Sequence, residues 1–214
     1  MNIADSIINE KLKNVYFIWG SGKTTIANRL KEKYGYYVYS TDDAKDRLWE
    51  TATPDEFPDM CRDYVKEYGV KSFWELPKEV IADREAHIQK EVTPVMIVEL
   101  IALAKEHKVV ICEGDLDYES VIPVAEHGVY LRNCGTKFDW FNRPDHSTLD
   151  GIKNRTDIGE AEKRAIIENA YAAVSGQEKI LPAWVKEHHI KHIDWDDSID
   201  AEQTLVDVEQ YFLF

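Results

Sequence analysis

The feature that most constrains the fold is a strand-like run that breaks at two glycines and continues as a helix. Residues 15–19 are apolar or aromatic throughout, as in a strand buried within a parallel sheet. Gly20 and Gly22 interrupt this run, and apolar side chains then recur at helical spacing over residues 24–34 until Gly35 ends the pattern. A buried strand that leads directly into a helix predicts an α/β fold with a parallel sheet.

The junction itself, Gly20-Ser21-Gly22-Lys23-Thr24-Thr25, ends like the P-loop motif G-x-x-x-x-G-K-[ST]. In such a loop the backbone N–H groups surround nucleotide phosphates, the lysine reaches the β- and γ-phosphates, and the next hydroxyl holds Mg²⁺. The helix that follows directs its positive N-terminal end at the same anion. These six residues are therefore predicted to bind nucleotide phosphates, with Lys23 as a catalytic cation and Thr24 as a magnesium ligand. The plainer alternative is an ordinary strand-to-helix turn that contains a lysine.

The junction departs from the full motif because it is short. The motif requires a glycine five residues before Gly22, and that position is Phe17. With the strand running to Trp19, Gly20 and Ser21 are left to form the turn. Either the loop is shortened in this protein, or residues that normally stand between Trp19 and Gly20 are absent from this sequence. A loop of this length offers fewer N–H groups to a phosphate, which favours a weakened nucleotide site.

Strand and helix patterns alternate over the rest of the chain, and this alternation predicts a three-layer α/β/α fold with about five parallel strands. Further strands are predicted at residues 36–40, 109–114, 128–131 and 190–195. Further helices are predicted from Thr41 or Asp42 as the N-cap, at residues 79–105 with a kink or restart at Pro94, and at residues 200–212 with Leu205, Val208, Tyr211 and Phe212 buried. The length of 214 residues suits a single domain over residues 1–214.

Acidic side chains follow two of the predicted strands. Ligands bind at the carboxyl ends of strands in an open α/β sheet, so Asp42, Asp43 and Glu113 are expected beside the phosphate loop. For Asp42 or Asp43 the predicted role is to orient an acceptor hydroxyl and take its proton, and for Glu113 it is to bind Mg²⁺. The alternatives are a helix cap for Asp42, a favourable first-turn charge for Asp43 and an exposed strand-end acid for Glu113.

Two segments are expected to cover this site rather than to build the core. Residues 51–78 are rich in charges, prolines and aromatic side chains, and they are predicted to form an insertion of short helices. Residues 135–165 carry several arginines and lysines, and a basic lid there would stabilise transition-state charge and exclude water. Arg143 and Arg155 are the preferred lid residues. The alternative is a solvated helix surface of mixed charge.

The charge balance and the cysteines limit the classes of function. With 26 basic and 40 acidic residues the formal net charge is −14, which argues against general nucleic-acid binding. The three scattered cysteines form no C-x-x-C pair and are typical of free thiols in a reducing compartment. We find no apolar run of membrane length and no signal peptide, so a soluble cytoplasmic protein is expected. The histidines at 188, 189 and 192 are expected to have surface or core roles rather than to bind metal.

The junction motif, together with Ser40-Thr41-Asp42-Asp43 and Glu113-Gly114, resembles the P-loop nucleoside/nucleotide kinase superfamily. The resemblance is greatest to its small-molecule kinase branch, which includes chloramphenicol phosphotransferase, gluconate kinase, the zeta-toxin kinases and polynucleotide kinase. It implies ATP and Mg²⁺ as cosubstrates, a small hydroxylated or nucleotide-like acceptor, and an activating acid at Asp42 or Asp43. It also implies a lid arginine at Arg143 or Arg155. The resemblance spans most of the chain in element order, and the phosphate loop is its specific motif.

Three hypotheses follow from the sequence. The leading one is an ATP-dependent kinase of a small acceptor. The second is a nucleotide-binding protein that is catalytically impaired, because Phe17 stands where the motif requires a glycine. The third is a GTPase-type switch, because Asn142-Arg143-Pro144-Asp145 resembles the guanine-reading N-K-x-D. That tetrapeptide does not directly follow a predicted strand, and no D-x-x-G does either, so the third hypothesis is disfavoured.

Overall fold

The computed structural model describes residues 12–135, 151–174, 181–196 and 201–214, and within them it contains a five-stranded sheet. Neighbouring strands are parallel throughout and lie in the order β2-β3-β1-β4-β5. The strands are β1 Leu12–Gly20, β2 Tyr37–Ser40, β3 Val110–Glu113, β4 Ala125–Asn133 and β5 Lys191–Trp195. The predicted parallel sheet is confirmed, with the strand that precedes the phosphate motif at its centre.

Helices connect these strands, and the helices found in the described part of the chain follow. They are α1 Lys23–Tyr34, α2 Thr41–Thr51, α3 Tyr64–Tyr68, α4 Lys78–Glu106, α5 Tyr118–Val121, α6 Glu160–Val174, α7 Ala183–Glu187 and α8 Ala201–Phe212. Within the segment predicted as an insertion, residues 51–78, the chain forms α3 and a 3₁₀ turn at Phe73–Glu75. Of the predicted lid, residues 136–150 lie outside the described residues, together with Arg143 and the tetrapeptide 142–145.

Alternate side chains of β1 enter two different hydrophobic clusters. Phe17 and Trp19 pack on one face of the sheet with residues of α4. Ile18 points to the other face and packs with residues of α1 and α8. Because successive side chains of a strand point to opposite faces, a strand that is apolar at every position must be covered on both sides. The predicted three-layer α/β/α architecture is thereby confirmed.

The long helix α4 runs without a break through Pro94, so the predicted restart does not occur. A proline inside a helix removes one N–H bond, here to the carbonyl of Lys90 one turn earlier. Both Pro94 and Lys90 are exposed, so water can solvate that carbonyl and the helix continues. The prediction for Tyr211 is also wrong, because this side chain is 41% exposed on the flank of α8.

The N-cap of α2 is Ser40 rather than Thr41 or Asp42. Ser40 ends β2, and its Oγ accepts a hydrogen bond from the Asp43 N–H at 3.4 Å. A serine hydroxyl satisfies a first-turn N–H group as well as a carboxylate does. The Asp42 carboxylate is therefore not needed as a cap, which removes the structural alternative for this residue.

Gly20→Ala is expected to destabilise the fold more than Gly35→Ala, its matched control. Both glycines have positive φ, 87° and 70°, and a left-handed alanine costs about 1–2 kcal/mol. A Cβ at Gly20 would lie 2.1 Å from the backbone oxygen of Leu131, whereas one at Gly35 would meet nothing within 4 Å. Overpacking of this kind adds about 1–3 kcal/mol. Urea unfolding measures both losses, and equal losses would contradict the close packing of the loop on β4.

Candidate phosphate-binding and acceptor site

The carboxyl ends of β1, β2 and β3 meet around the side chain of Glu113. In the parallel ladders this residue lies beside Ile18 of β1 and Ser40 of β2. Thr24 Oγ1, from the first turn of α1, donates a hydrogen bond to Glu113 Oε2 at 2.8 Å. The Ser40 side chain also acts on this carboxylate and lowers its pKa. The residues that follow three separate strands therefore form one polar cluster at one edge of the sheet.

Glu113 is a buried acid, with 3% of its surface exposed, and not the exposed strand-end acid of the alternative interpretation. Burial raises its pKa above the ordinary value, while the Thr24 hydroxyl and the Lys23 ammonium oppose that rise. The nearby Asp42 carboxylate raises the pKa further. A carboxylate paired with a hydroxyl presents the hard oxygen ligands that Mg²⁺ prefers.

Two lysines lie among the carboxylates of the cluster. Lys23 Nζ is 3.9 Å from Asp115 Oδ1, just beyond β3. Lys45 Nζ, from α2, is 3.0 Å from Asp42 Oδ1. Burial by itself would lower the pKa of Lys45, but Asp42, with Asp115 and Glu85, outweighs it and raises that pKa above its ordinary value. Lys45 therefore carries a positive charge into the site that the sequence analysis did not identify.

The turn between β1 and α1 consists of Ser21 and Gly22. Gly22 is the N-cap of α1 in a left-handed conformation, without a capping side chain and without an acidic residue in the first turn of the helix. The first N–H groups of a helix have no intrahelical partner, so they face the turn and favour an anion there. The Ser21 N–H is already used, since it donates to the Leu131 oxygen at 2.9 Å. The loop consequently presents the start of a helix rather than a full ring of N–H groups.

Trp195, at the end of β5, covers this short turn. Its Nε1 donates a hydrogen bond to the Ser21 oxygen at 2.9 Å, and its ring lies 3.6 Å from the position of a Cβ on Gly22. Sequence reasoning missed this residue, although the signal was available. Trp195 is the last residue of a predicted strand, and the carboxyl ends of all parallel strands lie at the same edge of the sheet.

The residues fit magnesium and a nucleotide phosphate in part. Thr24 and Glu113 form a suitable pair of oxygen ligands, and Lys23 lies at the start of the helix that would receive the phosphates. Thr25 follows in the same exposed first turn. Fewer backbone N–H groups are available to a phosphate, however, because the loop contains two residues and one of their N–H groups donates to the Leu131 oxygen. The pair of oxygen ligands that would suit a metal ion is therefore more complete here than the set of N–H groups that would surround a phosphate.

A cavity of about 620 Å³ opens beside Asp42, between α2, α4 and the segment 51–78. The lining residues combine aromatic, aliphatic and charged side chains: Asp42, Lys45, Asp46, Trp49, Arg62, Asp63, Tyr64, Val65, Phe73, Trp74, Arg84, Glu85 and Ile88. This volume lies in the range of pockets that hold small molecules, which is about 300–1,000 Å³. The segment predicted to cover the site thus forms one wall of a cavity that also includes the predicted catalytic acid.

Arg84 is the buried cation of this cavity, with 8% of its surface exposed. Sequence reasoning missed it as well. Its position in α4 falls three residues after Ile81 and four before Ile88, both buried apolar side chains of the helix. A charged residue at a position where the helical period requires an apolar one was the available signal.

The other predicted acid, Asp43, and the predicted lid arginine within the described residues, Arg155, do not line this cavity. Asp43 is exposed, and it is absent from the cavity lining that includes Asp42. Arg155 binds Asp157 through Nη2 at 2.7 Å and also pairs with Glu75 of the 3₁₀ turn. These carboxylates raise the pKa of the Arg155 guanidinium. Arg155 therefore ties the lid segment to the segment 51–78, and a phosphate-binding role would require these pairs to open.

The histidines at 188, 189 and 192 are exposed, and among the described residues no group of three His, Cys, Asp or Glu side chains could hold a metal ion by itself. His188 and His189 lie in a turn before β5, so they do not share a strand with His192. None of the helices in the described ranges is both long and apolar enough to cross a membrane.

Comparisons with known proteins found solved structures that resemble this chain in fold, with low sequence identity and low TM-scores. Searches against protein-family models and against curated proteins found no match. Among solved structures, dephospho-CoA kinase from Campylobacter jejuni is 16% identical with a TM-score of 0.46, over 93% of this chain and 96% of that chain. An uncharacterised protein from Eubacterium ventriosum ATCC 27560 is 15% identical with a TM-score of 0.38, over 92% and 96%. At these values neither structure assigns a family or an activity to this chain.

Proposed function

We propose that this protein is an ATP-dependent phosphotransferase that moves the γ-phosphate of ATP to a hydroxyl group of a small molecule. The observation that carries the proposal is the hydrogen bond from Thr24 to the buried Glu113. It joins the hydroxyl of the Gly-Lys-Thr sequence to an acid at the end of a neighbouring strand. A hydroxyl and an acid in these two positions hold Mg²⁺ in nucleotide-dependent phosphoryl transfer.

Each part of the cluster would meet one requirement of this reaction. Lys23 and the first N–H groups of α1 would bind the β- and γ-phosphates, and Thr24 with Glu113 would hold Mg²⁺, which neutralises phosphate charge when bound. Asp42 would orient the acceptor hydroxyl and take its proton as the new O–P bond forms. The bond to the bridging oxygen of ATP breaks at the same time, and ADP leaves with its electron pair. Lys45, at 3.0 Å, would hold the Asp42 carboxylate in position for the transfer.

The cavity beside Asp42 is the proposed acceptor pocket, since its wall includes both Asp42 and Lys45. Arg143 and Arg155 stay the proposed lid arginines. For Arg155, closing on a phosphate means exchanging Glu75 and Asp157 for the anion, which a guanidinium binds in the same bidentate way.

Calorimetric titration of Mg-ATP, followed by an assay of acceptor-dependent ADP release, tests the proposal. Binding of Mg-ATP together with ADP release that depends on a hydroxylated acceptor is the expected result. A clear preference for GTP over ATP would instead revive the switch hypothesis. The absence of any Mg-nucleotide binding would refute the phosphotransferase.

A second candidate function is nucleotide binding without catalysis. Two observations favour it: the Ser21 N–H is bound to the Leu131 oxygen, and the Trp195 ring covers Gly22. A phosphate at this turn would have fewer donors to stabilise charge that develops in a transition state. Mg-ATP binding without ADP release, over a panel of sugars, amino alcohols and nucleosides, would support this candidate over the first.

Glu113→Gln is expected to change how stability depends on pH in buffer free of magnesium and nucleotide. Burial raises the pKa of Glu113, so the folded protein holds this proton more tightly than the unfolded chain. The stabilisation that results is present below the ordinary glutamate pKa of about 4.3 and is lost as pH rises through the raised value. The variant has no such loss, although the amide oxygen of its new side chain can still accept a hydrogen bond from Thr24.

Urea unfolding from pH 4 upward measures this effect. The free energy of unfolding of the wild type should fall more steeply with rising pH than that of Glu113→Gln. Glu119→Gln, which changes an exposed glutamate, is the matched control and should follow the wild type. Parallel curves for wild type and Glu113→Gln would contradict the raised pKa.

A further inference from the structure

The Arg84 guanidinium is buried at the wall of the acceptor cavity with aromatic rings around it. Its Cζ lies 4.6 Å from the ring centre of Phe73, 5.1 Å from that of Trp49 and 5.8 Å from that of Tyr64. Stacking against ring faces stabilises a guanidinium by cation–π attraction. It does not satisfy the N–H donors at the guanidinium edge, which need hydrogen-bond acceptors.

Most of those donors have no hydrogen-bond partner among the residues that the structure describes. A guanidinium has five N–H groups, and among the described residues Arg84 makes one hydrogen bond, from Nη1 to Glu85 Oε1 at 2.7 Å. The fully buried side-chain atoms without a partner in the described ranges are Trp19 Nε1 and Thr41 Oγ1. The Arg84 nitrogens are not among them, so they keep access to the cavity.

One carboxylate of the cavity wall, Glu85, pairs with the Arg84 guanidinium at 2.7 Å. Asp42, Asp46 and Asp63 are exposed, and water screens such rim carboxylates strongly. Arg62, also exposed, is paired with Glu67. The unused donors of the buried guanidinium lie beside the aromatic rings of the cavity, and a planar fork of this kind favours an anion that can accept two parallel N–H bonds.

We propose that the cavity binds an acceptor with an oxyanion group, carboxylate or phosphate, held by Arg84, and with a flat apolar body that lies among Trp49, Phe73 and Trp74. This inference rests on the proposed phosphotransfer and names the acceptor class for it. The acceptor is a hydroxylated organic anion, with its hydroxyl directed to Asp42 and its anionic end to Arg84. Carboxylate and phosphate share the geometry that a guanidinium edge recognises, so both belong to this class.

Four probes that share one ring and differ in their polar group test the proposal: phenyl phosphate, phenylacetate, benzyl alcohol and benzylamine. Their dissociation constants are measured by NMR from the indole N–H signals of Trp49 and Trp74, both in the cavity wall. Titrations are repeated in Lys23→Ala to remove binding at the phosphate loop. At least one of the two anions is expected to bind about tenfold or more tightly than benzyl alcohol. The tighter anion identifies the oxyanion as phosphate or carboxylate.

Arg84→Met keeps the length of the side chain and removes its charge, and it should reduce the preference for anions to less than about twofold. Arg84→Lys keeps the buried charge without the planar fork, so it should also lose most of the preference, and it decides the question if Arg84→Met does not fold. The matched control is Arg47→Met, at an exposed arginine that pairs with Glu99 and does not line the cavity. It should bind as the wild type does.

The inference would be overturned if the four probes bound equally, if benzylamine bound more tightly than the anions, or if no probe bound. It would also be overturned if the preference for anions survived in both Arg84 variants. The Mg-ATP titration separates this failure from failure of the proposed function. Binding of Mg-ATP without an anion preference refutes the oxyanion site alone. An anion preference that depends on Arg84, without Mg-ATP binding, retains the site and refutes the phosphotransfer.

Discussion

Lys23→Ala is expected to weaken Mg-ATP binding roughly tenfold to hundredfold, the usual effect of losing a hydrogen bond to a charged group. Lys23 begins α1, where in the proposed function the helix N-terminus and the lysine charge would act on the same phosphates. Its Nζ lies 3.9 Å from Asp115, so the side chain already points towards the acidic end of β3. Isothermal calorimetry of wild type and variant measures the change.

The control for Lys23→Ala is Lys31→Ala, an exposed lysine two turns further along the same helix. It removes the same charge from α1 without reaching the turn, and it should leave the affinity within about twofold. Equal losses of affinity in the two variants would mean that ATP binding depends on the overall charge of the helix. Unchanged binding in Lys23→Ala would remove the phosphate site from this turn.

Asp42→Asn is expected to lower the rate of phosphoryl transfer by about 10²–10⁴, the range for loss of a general base. The carboxylate lines the acceptor cavity and lies 3.0 Å from Lys45. An asparagine in its place still accepts a hydrogen bond but does not take a proton. The affinity for Mg-ATP should stay as in the wild type, because the proposed phosphate site lies at the start of α1. Single-turnover kinetics with saturating ATP measure the transfer step.

Asp43→Asn is the matched control for this prediction. Asp43 is the next residue and also an exposed aspartate, but it does not line the cavity. Its variant should transfer phosphate within about threefold of the wild type. If Asp43→Asn were the slower variant, the two acids would exchange roles and the acceptor would approach from the other side of α2.

The sequence predicted the fold well because the fold depends on local patterns. Residues 15–19 are apolar at every position, and a strand of this kind needs a layer on each face. The alternation of strands and helices then left few arrangements other than a parallel sheet. The structure differs from the predictions where a single side chain decides the outcome. Ser40 is the N-cap of α2, which had been expected at Thr41 or Asp42, and the exposed Pro94 does not interrupt α4.

Within the candidate site, sequence alone identified the groups that follow strands in a recognisable motif. Gly20 to Thr25 were named from the Gly-Lys-Thr motif, and Asp42, Asp43 and Glu113 were named because strand ends meet at one edge of a parallel sheet. The roles of these residues stay predictions. What the sequence could not provide was the contact between Thr24 and Glu113, because it joins residues that are distant in the chain.

The sequence by itself determined the layered α/β fold and the position of the Gly-Lys-Thr motif at the end of a buried strand. Local periodicity and turn chemistry suffice for both. Only the tertiary structure decided that Trp195 covers the shortened turn, that Asp42 rather than Asp43 lines a cavity, and that Arg84 is buried in its wall. These features depend on packing between segments far apart in the chain, which no local pattern of residues specifies.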